Sequence, residues 1–302
     1  MQASSEAAAS RPPVGLISSA ASERLLQDRR DITVSTPWGA ASVLTGRIGG
    51  REVAVVLRYG PRLTIPSHKI NYRANIWALH ELGVQRIISQ NAIGSVNPVL
   101  RPGDVVISHD FLDRTKSRPL SLFDESECWV RVDMTEPFCP QMRQTLLASA
   151  SGMPDRVFDR GVFACVEGPR FETPAEIRTL QRDGADIIGT PLVPEVTLAR
   201  EAEMCFASIA PVINYAAGMA PAVIHVGPGS MNDTYYTGGL HDRIEQTLTR
   251  AVADMPAQRS CRCGLSLLSG FHGERPAWLT YCSIDAQTES PPTGAAPSTP
   301  AD

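Results

Sequence analysis

Short β-branched runs alternate with segments of helical period along most of this chain, and that alternation restricts it to an α/β fold around a central sheet. Strands are predicted over 14–17, 52–57, 86–89, 104–108, 161–166, 187–188 and 207–213. Between them, Ile70, Ala74, Trp77, Ala78 and Leu82 fall on one helical face, and Gly83 supplies a stop. A second helix starts at Pro174, with Thr173 as N-cap, Pro174 at N1 and Glu176 at N3, the pattern of a capping box. Two further helices are predicted over 195–205 and 241–254. In such folds ligands lie beyond the carboxyl ends of the strands. Chemistry is therefore expected in the loops at 18–22, 58–68, 90–95, 167–173, 189–195 and 214–218.

The 302 residues divide into a polar N-terminal tail over 1–13, one body over 14–255, and an extension over 256–302 that is largely low-complexity, rich in Pro, Ser, Thr and Ala from Ser290 onward. A net charge of −4 without clustered Lys and Arg gives no footprint for nucleic acid. No apolar run approaches the roughly 18–20 residues that cross a bilayer, so no membrane partner is expected. The first residues show no basic segment followed by an apolar one, and a cytoplasmic location is the expectation. Seven cysteines, an odd number at irregular spacing, suggest free thiols rather than a disulfide framework. Cys261 and Cys263 stand closer together than the usual zinc pair, and no second pair of similar spacing follows. No metal site is expected.

Several predicted loops carry polar groups. Arg58 follows a strand directly and precedes Tyr59-Gly60, so its planar fork can grip an anion or belong to a surface turn. Asn91, Ala92 and Gly94 form either a ligand-approaching loop or an ordinary turn. In Glu167-Gly-Pro-Arg-Phe-Glu172, Phe171 can stack on a planar base and Glu172 can accept a ring N–H. Alternatively, Glu172 is a carboxylate favoured by the dipole of the helix beside it. Asn214, at the end of a very apolar strand, can donate to a carbonyl and accept from an N–H in one plane, or satisfy a turn.

Taken in order, these segments resemble the methylthioadenosine and methylthioinosine phosphorylase branch of the purine nucleoside phosphorylase superfamily. The resemblance is carried by 71–79 with Glu81-Leu-Gly83, by Asn91-Ala-Ile-Gly-Ser95, Arg101-Pro-Gly-Asp104, Phe111-Leu-Asp-Arg-Thr115, Arg118-Pro119 and 136–140. It continues through Glu167-Gly-Pro-Arg-Phe171, Pro174-Ala-Glu176, Gly184-Ala-Asp186, Val193-Pro-Glu195 and Leu198-Ala-Arg-Glu201, and runs from about Val14 to Asp254. It implies a single-domain α/β enzyme with a twisted mixed sheet flanked by helices, assembled as a homotrimer whose active sites borrow residues from a neighbour. It implies a pentosyltransferase of purine metabolism that cleaves the N-glycosidic bond of a nucleoside, with or without a 5′ modification, using phosphate as co-substrate. The products are free base and a sugar 1-phosphate, and no cofactor is needed. Carried over by position, Asn214 and Glu172 are the catalytic pair. Arg58, Tyr59, Asn91, Ala92 and Ser18 face the anion. Phe171, Glu172, Thr190, Asn214, Ala216 and His68 face the nucleoside. Glu172 with Asn214 is the pattern of 6-oxopurine members, where adenine-selective ones carry a small residue and an Asp.

Three departures from the family pattern fall on the anion and sugar pocket. Ser18-Ser-Ala-Ala21 stands where a glycine-rich loop with a hydroxyl would wrap phosphate. Tyr59 replaces an imidazole. Thr190-Pro191 replaces a Met-Thr pair, and Pro191 offers neither hydroxyl nor N–H. Weak phosphate binding is the expectation. The alternative is a divergent member that uses water or another nucleophile, or a non-catalytic nucleoside-binding or assembly protein.

Overall fold

The computed structural model describes residues 13–19, 24–220, 231–268 and 270–279. Its strands are β1 (Val14–Ser18), β2 (Gln27–Thr36), β3 (Gly39–Ile48), β4 (Arg51–Leu57), β5 (Arg86–Gln90), β6 (Ile93–Ser95), β7 (Val105–Ile107), β8 (Asp110–Arg114), β9 (Trp129–Val130), β10 (Val157–Phe158), β11 (Val162–Val166), β12 (Ile187–Gly189), β13 (Cys205–Tyr215) and β14 (Phe271–His272). The α-helices are α1 (Tyr72–Glu81), α2 (Pro140–Ala150), α3 (Pro174–Arg182), α4 (Leu192–Glu201) and α5 (Leu240–Asp254).

The main sheet runs β2-β3-β4-β1-β5-β13-β6-β12-β11-β8, with β7 and β10 joined at its side. It is mixed. β1 pairs in parallel with β4 and β5, β13 in parallel with β5 and then β6, while β12 meets β6 and β7 meets β13 antiparallel. Eleven residues long, β13 links both halves of the sheet, and its register shifts between Val212 and Asn214. That irregularity lies where the strand approaches the predicted ligand loops.

Side chains that alternate along the central strands feed two separate cores, as a sheet covered on both faces requires. Ile17 and Ile87 pack with residues of α1 and α4, while Leu16 and Ile88 pack with residues of α2 and α5. A third cluster puts Ile177 and Leu180 of α3 against Val96, Ile188 and Ala216, under the site. The predicted capping box is present. The Thr173 hydroxyl accepts from the Glu176 amide at 3.2 Å, and the Glu176 carboxylate accepts from the Thr173 amide at 2.8 Å.

The helix predicted over 195–205 begins earlier and stops earlier, at Leu192–Glu201. Glu203 takes a left-handed φ of 54°, and Cys205 already belongs to β13. The β2–β3 hairpin had no counterpart among the predicted strands, because β2 is mostly exposed and its sequence shows little apolar alternation. The extension beyond 255 is not all low-complexity chain. Leu267 and Leu279 are buried, β14 pairs with β9, and the Trp278 ring lies 4.7 Å from Trp77 and 5.4 Å from Phe123 between centroids. Isolated large apolar residues anchor this segment without creating a period that a sequence pattern reveals. Residues 280–302 lie outside the described residues. Among the described residues, no helix is long and apolar enough to cross a membrane.

Candidate active site

A cavity of about 200 Å³ opens where the ends of β6, β12 and β13 meet the loop before α3. It gathers Ala92, Phe171, Glu172, Thr190, Asn214 and Ala216, which the sequence places in four separate loops. Arg170 and Met231 also line it. His68 does not. It sits exposed on the short turn Ser67–Lys69, whose Ser67 hydroxyl donates to the Glu167 carbonyl at 2.9 Å.

The two polar residues best suited to a purine edge retain bonding capacity. Asn214 donates one amide N–H to the Tyr215 carbonyl at 2.8 Å, which fixes its amide plane and, among the described residues, leaves a second N–H and the Oδ1. A side chain at Gly94 would crowd this amide, since a Cβ there would lie 3.3 Å from its Nδ2. Glycine at 94 therefore lets the strand approach this amide without displacing it by a few tenths of an ångström. Glu172 accepts only from its own backbone amide among the described residues, and burial raises its carboxyl above the ordinary range. Phe171 stands half exposed. The loop carrying both residues is held by Arg170, which forms a two-point contact with Glu176 at 2.7 and 2.8 Å, and by the capping box beneath it.

The residues assigned to the anion behave differently. Arg58 is buried and its Nε and Nη2 bind Glu195 at 2.7 and 3.0 Å. Its remaining contacts are the Gln90 carbonyl at 2.7 Å, the Ser89 hydroxyl at 2.7 Å and the Ile17 carbonyl at 3.2 Å. This fork braces the strand ends rather than facing the cleft. Asn91 likewise turns its amide into the sheet, donating to Ser208 at 3.0 Å and to Ser89 at 3.1 Å, while its backbone N–H bonds to Ile209. The Ser18 hydroxyl donates to Gln90 at 2.7 Å, and Gln90 in turn donates to the Tyr235 hydroxyl. Tyr59 is the exception. Its hydroxyl lies 3.4 Å from that of Thr190, a residue that lines the cavity, although Tyr59 itself does not line it. Ala20 and Ala21 of the departed glycine loop lie outside the described residues.

Two residues that shape the site were not singled out as functional by sequence. Glu195 is the ion-pair partner of Arg58 from 137 positions away, a distance over which no local pattern carries information. Arg118 donates to the carbonyls of Thr190, Val193, Val166 and Glu167, pinning the two loops that carry Thr190 and Phe171. Its only sequence signal was membership in the conspicuous Arg118-Pro119 pair.

Far from this cavity, the cysteines among the described residues are free thiols, as expected, but the isolation of Cys261 and Cys263 needs correction. Cys261 and Cys263 do have partner thiols, supplied by Cys139 and Cys205 from elsewhere in the chain, and the four sulfurs lie within 4.8 Å of one another. Spacing along the sequence could not show this, because the second pair is split by the fold.

Comparison with known proteins places this geometry in context. Residues 14–254 match the family described as the phosphorylase superfamily. The 6-oxopurine nucleoside phosphorylase of Pyrococcus furiosus is 48% identical over 249 residues, spanning 78% of this chain and 90% of that protein. The S-methyl-5'-thioadenosine phosphorylase of Thermofilum pendens is 40% identical over 245 residues, spanning 80% and 91%. A crystal structure of a methylthioadenosine phosphorylase from an antarctic soil metagenomic library superposes with a TM-score of 0.80 at 27% identity, covering 89% of this chain and 94% of that one.

Proposed function

The chain belongs to the phosphorylase superfamily, and from that membership we propose a 6-oxopurine nucleoside phosphorylase with a weakened anion site. It is an enzyme of purine nucleoside phosphorolysis: phosphate attacks C1′ of the sugar, the N-glycosidic bond breaks, and the bond's electron pair leaves with the base. The readings without phosphate, or without catalysis, are not favoured by relatives that are phosphorylases across most of the chain.

The observation that carries the choice of base is the unused bonding capacity of Glu172 and Asn214 in one cavity. A 6-oxopurine presents an N1–H donor beside an O6 acceptor. An ionised Glu172 accepts from the first, and the remaining Asn214 N–H serves the ring edge on which charge develops as the base departs. Adenine presents an acceptor at N1 and a donor at its amino group, so the same carboxylate faces a lone pair. A buried mismatch of that kind discriminates strongly. Phe171 supplies a ring for stacking, and Tyr59 with Thr190 supplies the hydroxyls nearest the sugar and anion.

Phosphate is weakly held in this reading, because Ser18, Asn91 and most of Arg58 are already engaged by the protein. A dianion needs several convergent donors to replace its hydration. The deciding measurement is base release from inosine and adenosine at zero and saturating phosphate. We expect release to require phosphate, to half-saturate in the millimolar range, and to favour inosine. Preference for adenosine refutes the base assignment. A micromolar half-point refutes the weakened site.

The enzyme is further proposed to be a cytoplasmic homotrimer. The family resemblance supports this, as does the half-exposed Phe171 at the site, which a neighbouring subunit would cover. Light scattering that gives the mass of one chain at micromolar concentration refutes the trimer.

A further inference from the structure

At the end of β13 opposite the nucleoside cavity, Cys139, Cys205, Cys261 and Cys263 bring their sulfurs within 4.8 Å of one another. Three of the four are buried, and the Cys205 and Cys261 sulfurs lie 3.4 Å apart. The elements that deliver them are unrelated in sequence. Cys139 is the N-cap of α2, and its amide donates to the Phe206 carbonyl at 2.8 Å, which ties the start of that helix to the start of β13. Cys205 opens β13 itself. Cys261 and Cys263 come from the chain after α5, where Cys263 begins a single 3-10 turn. Gln141 holds this segment in place, since its Nε2 donates to the Gln258 carbonyl at 3.3 Å and its Oε1 accepts from the Ser260 amide at 3.4 Å.

We propose that these four cysteines form a structural zinc site. Tetrahedral coordination with Zn–S bonds of about 2.3 Å puts ligand sulfurs just under about 4 Å apart, and these four, all within 4.8 Å of one another with one pair at 3.4 Å, need only small shifts to reach it. Binding displaces one proton from each thiol, so the metal and its four thiolates carry a net charge of −2. The surroundings suit that charge. Cys139 sits at the positive end of a helix of eleven residues, the Cys263 amide donates to the Cys261 sulfur, and Arg262 lies between the two ligands of the tail. Four protein sulfurs close the coordination sphere, which is the arrangement of a structural rather than a catalytic zinc.

The location indicates what the metal does. From Cys205 to Asn214, β13 spans about 30 Å at about 3.3 Å per residue, so the cluster stands well away from the nucleoside. It joins the segment beyond α5 to the sheet and to α2. The same segment continues to Leu267, β14 and Trp278, which pack on the body. The zinc thus clamps the C-terminal extension to the enzyme.

The test is elemental analysis and thiol titration of the full chain, expressed with added zinc and purified without chelator. We expect about one zinc per chain. Under denaturing conditions, the unfolded chain should release its zinc to a chelator and titrate seven thiols, the full cysteine complement. Replacing the zinc with cobalt(II) should give the intense visible bands of a tetrahedral thiolate site, a readout that needs no variant. Cys263→Ser should lower zinc content at least tenfold, while Cys128→Ser, outside the cluster, should leave it in place. Less than half an equivalent of zinc in the wild-type protein overturns the proposal. So does iron or copper in its place, or a titre of three thiols, which would mean that the four had paired as disulfides.

Discussion

The two ends of the nucleoside cavity are built from similar residue types but differ in what those residues have left to offer. At the base end, Glu172 and Asn214 each make a single local hydrogen bond among the described residues and keep further capacity at the cavity. At the anion end, Arg58, Asn91 and Ser18 are buried and hydrogen-bonded to the protein on several sides. A polar residue near a pocket is therefore not yet a ligand-binding residue. What matters is the donors and acceptors that remain once the fold has taken its share.

The largest effect follows from treating Arg58 as a brace. Arg58→Met removes the partner of a buried Glu195 and leaves that carboxylate uncompensated, at a cost of about 3–5 kcal/mol. Urea denaturation should show this as a lowered midpoint. If the loss is below about 1 kcal/mol while the phosphate requirement rises steeply, Arg58 is an anion ligand after all and the contrast between the two ends collapses.

At the base end the expected change is in specificity, not stability. Glu172→Gln removes the charged acceptor for N1–H, and kcat/KM for inosine should fall about 10- to 150-fold with the fold intact. The acid limb sharpens the point. Burial raises the Glu172 carboxyl, so lowering the pH protonates it earlier than an ordinary Glu. The protonated acid is a weaker, uncharged acceptor for N1–H, and its new O–H can donate to the N1 of adenine. The inosine-to-adenosine preference should therefore shrink as pH falls through this raised value. In Glu172→Gln that pH dependence should vanish. A preference that is flat with pH in the wild type excludes Glu172 from the base contact.

Much of this was legible in the sequence, and the limits have physical causes. The strands and helices of the body follow from periodicity, and the capping box at Thr173 and Glu176 follows from local chemistry alone. Phe171, Glu172 and Asn214 were recognisable because strand ends point at the site in this class of fold. The orientation of Asn91 was not legible, since a side chain at a strand end can turn outward to a ligand or inward to Ser208, and the choice is set by a strand more than a hundred residues away. Arg58 with Glu195 and the four cysteines are hidden for the same reason. Each is a meeting of distant segments, and spacing along the chain carries no trace of it.

The smallest expected effect concerns the departures at the anion end. Tyr59 and Thr190 hold their hydroxyls 3.4 Å apart, and Pro191 occupies the buried N-cap of α4 with no donor of its own. Tyr59→His with Pro191→Thr restores an imidazole, a hydroxyl and a backbone N–H without disturbing Arg58 or Asn91. At about 0.5 kcal/mol net apiece, the lower end for a neutral hydrogen bond, the three recovered donors should lower the half-saturating phosphate concentration about 10-fold, with kcat for inosine little changed. Initial rates across a phosphate series measure it. A fall of that size means that the weak anion site is a matter of missing donors. No fall means that the inward-turned Asn91 and Ser18 set the limit, because donors added at one wall cannot close around an anion while the opposite wall stays bonded to itself.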